Sequence, residues 1–258
     1  MPKLRIRGNH LNYFDSGTGR PIIFFHSTPA TAKFYQPQIA HYSSRYRTLA
    51  FDLRGHGDSD KPAGAYRINE FLEDYLAIFD ALDLQDFVLV GCSVGGIVAQ
   101  LYALEHGERL RGLVLIGAPC SRRGRDVAGF HAAVAQSGWP AVVERLVDKQ
   151  LHSSTPPDVK AWAIQEYLKT PLHVRAAEEE ALLADVHHTD RLGDIRVPTL
   201  LVAGEEEETE IYEQMEYMAT AIPDARHHVI HNAAHMPNFE QPREFNRIMD
   251  DFLAGLAY

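Results

Sequence analysis

A serine acts as a nucleophile only where one group takes its proton and others hold the negative charge that its attack creates. The stretch Val88-Leu-Val-Gly-Cys-Ser93-Val-Gly-Gly-Ile-Val98 is built for that use. Apolar residues 87–90 read as a buried strand, which runs into Gly91-Cys92-Ser93-Val94-Gly95 and then directly into an apolar-periodic helix. Passing from strand to helix in so few residues crowds the backbone. Glycine two before and two after the serine removes the side chains that would collide there. Ser93 then stands at the carboxyl end of the strand, over the positive end of a helix dipole. The base has to come from elsewhere in the chain, and 14 histidines compete. His235 is favoured because Ala234-His235-Met-Pro-Asn-Phe-Glu240-Gln-Pro242 follows a strand at 228–230 and precedes the last helix, so it leans over the sheet edge toward Ser93. The pairs His187-His188 and His227-His228 have no metal-ligand spacing with cysteine or carboxylate, and read as solvated or core residues.

The elements that must position these residues are legible as short runs. Residues 21–25, 48–51, 87–90, 113–116, 199–203 and 228–230 are rich in Val, Ile, Leu and Phe and bounded by turn residues, as in strands buried on both faces. Helical spacing appears at 69–82, 95–105 and 242–256. The alternation predicts an α/β fold, a mostly parallel open sheet with helices on both faces. It breaks between 120 and 191, where four helical segments follow one another (126–136, 140–151, 156–169 and 171–185), three of them with Pro at or near the start. The expected organisation is therefore a core domain of residues 1–119 and 191–258 with a helical cap insertion at 120–190.

The 258 residues suffice for one large domain with a buried core. A formal net charge of −10 repels phosphate, so neither nucleic acid nor an anionic membrane is an expected partner; a small-molecule substrate is. Cys92 and Cys120 read as buried thiols rather than a disulfide, which fits a reducing cytoplasm. No secretory leader and no run of eighteen apolar residues is present in this sequence.

Taken together the motifs resemble the α/β-hydrolase superfamily, in its branch of cap-bearing esterases, lactonases, carbon–carbon hydrolases and haloperoxidase-like proteins. The likeness spans nearly the whole chain. Besides the serine elbow, Phe24-Phe25-His26-Ser27-Thr28-Pro29 is similar to the family's oxyanion loop, and Asp52-Leu-Arg-Gly-His-Gly-Asp-Ser59 to its structural turn after the next strand. The resemblance implies an oxyanion hole made by the backbone N–H groups of Thr28 and Val94. Where the family has glycine after the loop histidine, this chain has Ser27, which either narrows the pocket or adds a hydroxyl. The family's triad acid lies three residues past the glycine that ends the seventh strand. Counting from Gly204 through the run Glu205 to Glu208 selects Glu207. A relocated acid after the sixth strand is the alternative, but the chain offers no carboxylate there before Asp126.

The expected activity is hydrolysis of a small to medium carboxylic ester or lactone through an acyl-enzyme, with Ser93, His235 and Glu207 as the triad and no metal or organic cofactor. Phe130, Trp139, Trp162 and Tyr167 are candidates to line the pocket from the cap, and Arg122, Arg123 and Arg125 to meet a substrate carboxylate. A carbon–carbon bond hydrolase, a cofactor-free oxygenase and a ligand receptor on the same fold are the other readings.

Overall fold

The computed structural model describes residues 2–64, 66–121 and 126–256. Two antiparallel strands, β1 (Lys3–Ile6) and β2 (Asn9–Ser16), open the sheet. Six parallel strands follow: β3 (Pro21–Phe25), β4 (Arg47–Phe51), β5 (Phe87–Cys92), β6 (Leu110–Ile116), β7 (Thr199–Gly204) and β8 (Ala225–Ile230). Their spatial order is β1-β2-β4-β3-β5-β6-β7-β8, with β5 near the middle.

Successive side chains of a strand point to opposite faces, so the central strands divide between two cores. Ile23, Phe25, Leu89, Leu113 and Leu201 share one face with Phe71, Tyr75 and Ile78 of α2 (Ile68–Ala81) and with Ile97 and Val98 of α3 (Val94–His106). Ile22, Phe24, Val88, Val90, Val114 and Leu200 share the other with Phe245, Met249 and Phe252 near the C-terminus. Phe25 stacks on Tyr75 with ring centroids 3.5 Å apart, so α2 is pinned directly over β3. Burial on both faces explains why these runs contain almost nothing polar. β1 and β2 lack that signature because only Ile6, Leu11 and Asn12 in them are buried, the rest being exposed or half-buried.

Between β6 and β7 the chain forms α4 (Val127–Gln150), α5 (Pro157–Tyr167) and α6 (Leu172–Asp185). The first two expected helices of this stretch are the two halves of α4, separated at Gly138, whose φ of 78° and ψ of 161° turn the backbone out of helical geometry just before Trp139-Pro140. The neck of the insertion is closed by a bridge between Ser121 and His187 and by the His188 N–H donating to Cys120 O at 2.9 Å. After β7 come α7 (Thr209–Ala221), the single turn α8 (Pro237–Glu240) and α9 (Pro242–Gly255). No helix among the described residues is long and apolar enough to cross a membrane.

Candidate active site

Ser93 has φ 48° and ψ −114°, a conformation that costs a residue with a side chain roughly 1–3 kcal/mol. The turn is held by the Ser93 N–H donating to Ile116 O on β6 and by Ile97 N–H donating to Ser93 O. The glycines around it serve distinct purposes. A Cβ on Gly91 would lie 2.5 Å from Gly95 O, where strand and helix cross. A Cβ on Gly95 would lie 2.5 Å from Phe25 O and 2.8 Å from His26 O. The second contact brings the first turn of α3 against the end of β3, and so the elbow against the 26–29 loop.

Past the end of β7, Glu207 turns inward while Glu205 and Glu206 stay exposed. Both carboxylate oxygens of Glu207 lie against Nδ1 of His235, at 2.9 and 3.0 Å, and its side chain is fully buried. Its Oε1 also accepts the Glu208 N–H at 2.9 Å. This arrangement leaves Nε2 of His235 as the proton-accepting nitrogen. The neighbouring glutamates are engaged elsewhere: Glu205 with His231, Glu206 with Ser153 and His152, and Glu208 with Lys149. Glu208 is half-buried and lines the same cavity as Ser93. Asp126 caps α4 through Gly129 N–H at 2.7 Å and does not reach His235.

Gly117, at the end of β6, was not singled out by sequence as part of the site. With φ +48°, a Cβ there would sit 2.6 Å from Glu207 Oε2 and 2.9 Å from His235 Nδ1. The His235 loop itself is held from the insertion: His235 N–H donates to Gln150 O at 3.1 Å. Glu240 accepts from His152 N–H, Thr155 Oγ1 and Ala234 N–H at 2.6, 3.0 and 2.9 Å, so one carboxylate joins the insertion to the residue before His235.

His26 Nδ1–H donates to Ser27 O at 2.7 Å, and its Nε2 accepts the Leu53 N–H at 2.9 Å. A ring bonded this way is neutral, and burial followed by the nearby His56 lowers it to about 3. The carbonyl that His26 holds belongs to the same peptide unit as the Thr28 N–H, and in a trans peptide the two point in opposite directions. His26 therefore fixes the direction of the Thr28 N–H. As the first residue of α3, Val94 has no intrahelical acceptor for its own N–H. Ser27 is buried and directs its hydroxyl to Met236 Sδ at 3.8 Å, so the residue that departs from the family pattern faces the core rather than the pocket.

Ser93, His235 and Thr28 line one cavity of about 70 Å³, walled by Leu146, Lys149 and Gln150 of α4 and Arg175 of α6. A larger space of about 310 Å³ shares Leu146, Lys149, Arg175, Glu208 and Ile211 with it and reaches Phe130 and Trp139. Trp162 lies away from this site, stacked on Phe239, and Tyr167 is buried with its hydroxyl on Gln150 Oε1. Arg122, Arg123 and Arg125 lie outside the described residues.

Residues 20–242 match the family model for the alpha/beta hydrolase fold. The chain belongs to the α/β-hydrolase family. This α/β hydrolase is similar to 3-oxoadipate enol-lactonase 2 of Acinetobacter baylyi, 27% identical with 93% of this chain and 91% of that protein aligned. It is also similar to 2-hydroxymuconate semialdehyde hydrolase of Pseudomonas putida, 29% identical over 96% and 92% of the two chains. Among solved structures, a thermophilic esterase from Thermogutta terrifontis superposes with a TM-score of 0.90 at 26% identity, covering 98% of each chain.

Proposed function

We propose that this α/β hydrolase cleaves a small to medium carboxylic ester or lactone through an acyl-enzyme on Ser93. The observation that carries the reading is the buried Glu207–His235 pair, with His235 lining the same cavity as the strained Ser93. His235 Nε2 removes the Ser93 proton as Oγ bonds to the substrate carbonyl carbon. The carbonyl electrons move onto oxygen, which the N–H groups of Thr28 and Val94 receive. The tetrahedral adduct collapses, its leaving oxygen taking the proton from His235, and water then repeats the sequence to free the acid. Glu207 holds the Nδ1 tautomer and offsets the imidazolium that forms twice per cycle. Residues 120–190 serve as the cap, with Phe130 and Trp139 on the substrate side.

The likeness to an enol-lactonase and to an esterase supports an ester or lactone bond. The likeness to a semialdehyde hydrolase keeps a carbon–carbon bond as the second reading. A panel of acyl esters, lactones and β-diketones, assayed with wild type and Ser93→Ala, tests both. Wild type turns over an ester or lactone, and Ser93→Ala loses roughly 10³-fold or more in kcat while keeping its circular dichroism. Turnover confined to β-diketones selects the second reading. Wild-type rates in Ser93→Ala remove the nucleophile.

A further inference from the structure

The insertion reaches the oxyanion loop through a buried carboxylate that lies behind the cavity wall. Glu178 of α6 sits within hydrogen-bond distance of the Thr28 hydroxyl, Oε2 to Oγ1 2.5 Å, with both residues buried. Nε2 of the fully buried His56 is 3.0 Å from the same hydroxyl and 3.2 Å from Glu178 Oε1, while its Nδ1–H donates to Arg54 O at 2.9 Å. Arg175 Nη1 lies 3.7 Å from Glu178 Oε2. The single hydroxyl proton goes to Glu178, so the Thr28 rotamer is set by a residue 150 positions away in sequence. Two further ties join the same loop to the insertion. Thr170 Oγ1 donates to Pro29 O at 3.2 Å, and Glu166 takes both the Thr31 hydroxyl and the Lys33 ammonium, at 3.0 and 2.8 Å.

From this arrangement we propose that Glu178 is a positioning residue for hydrolysis, holding the Thr28 side chain so that the 27–28 peptide keeps its N–H aimed at the substrate oxygen. The inference rests on the acyl-enzyme reading above. His26 fixes the carbonyl side of that peptide, and Glu178 fixes the Thr28 side. With only one anchor the peptide can rotate about the other, and the N–H leaves the point where negative charge develops. Such a donor counts mainly in the transition state, so its misplacement lowers kcat and leaves KM nearly unchanged. A buried carboxylate is an expensive way to fill space, and a leucine would pack there without it, so its contact with Thr28 is the feature that needs a purpose.

The test compares Glu178→Leu, Glu178→Gln, Thr28→Val and the Glu178→Leu/Thr28→Val double variant on the ester or lactone that wild type turns over best. Glu178→Leu is expected to lose roughly 10- to 100-fold in kcat with KM within about threefold. Glu178→Gln, which retains a hydrogen bond to Thr28, recovers most of that loss. The double variant is no slower than the slower single one, because both changes cut the same link. A Glu178→Leu enzyme with wild-type kcat, a loss carried by KM alone, or fully additive losses would each overturn the proposal. If Glu178→Leu does not fold, Thr28→Ser against Thr28→Val decides: serine outruns valine by roughly tenfold if the hydroxyl matters, and equal rates overturn it. Ser93→Ala separates the two levels. Wild-type rates there overturn the acyl-enzyme reading and this inference with it, whereas an inactive Ser93→Ala beside a fully active Glu178→Leu overturns only the positioning role.

Discussion

Glu207 reaches His235 across a space that Gly117 leaves open, since any side chain at the end of β6 would stand between the carboxylate and the ring. That space separates Glu207 from its three neighbours more than its own chemistry does. Glu207→Gln should lower turnover by roughly 10²–10⁴-fold, because the amide favours the wrong tautomer and leaves the imidazolium unbalanced. The same change at the exposed Glu205 or Glu206 should stay within about threefold. Steady-state rates for the three variants on one substrate decide it, and equal losses at all three would refute the assignment. At this scale Glu207 was legible through the family resemblance, whose three-residue offset past Gly204 selects it. The sequence was unreadable where contacts cross the chain. Ser27 turning to Met236 and Thr28 meeting Glu178 join residues 209 and 150 positions apart, and no local pattern marks them.

The elements are held to one another by a small number of polar bridges. Glu240, at the end of α8, gathers two backbone N–H groups and a hydroxyl from the turn after α4 and from the residue before His235. Removing it leaves several part-buried donors without an acceptor. Glu240→Ala should therefore lower the unfolding free energy by roughly 2–4 kcal/mol in urea titration and reduce kcat more than KM. A variant as stable as wild type would show that water replaces the carboxylate. Strands buried on both faces announced themselves by composition, as did the helices that cover them. The edge strand β1 and its neighbour β2 did not, because they are largely polar and a Lys-Leu-Arg-Ile segment is equally at home in a loop. The break at Gly138, where φ is 78°, falls between the helical segments expected at 126–136 and 140–151.

For the molecule as a whole, buried neutral histidines make folding depend on pH. Burial, with its neighbouring histidine second, holds His26 at about 3, and burial, with Arg191 second, holds His188 at about 4. In the unfolded chain an imidazole titrates near 6.5, so between these values the unfolded state carries more protons than the folded one. Stability is then fully present above about 6.5 and falls as pH drops toward 4 and 3, and the two rings together should remove roughly 1–3 kcal/mol between pH 7.5 and 5.5. Urea unfolding at a series of pH values measures the slope, and a flat line across that interval would mean that neither ring is kept neutral. The topology of the sheet follows from the alternation of buried strands and helices. The path of the insertion does not, since it depends on which helix face meets the cavity.

The bond from His235 N–H to Gln150 O has a consequence for anyone wishing to alter substrate preference by exchanging the insertion. In this molecule the segment proposed to shape the pocket also holds the backbone of His235, the proposed general base, and Glu240 adds a second tie across the same seam. A transplanted cap cut at the neck, between Ser121 and His187, would bring a foreign loop to face residues 234–240 and so change the base together with the pocket. A graft that keeps residues 150–155 native would let specificity be varied while the proton-transfer geometry is conserved. The functional boundary of the interchangeable part thus lies inside the insertion, well past the place where the chain leaves the sheet.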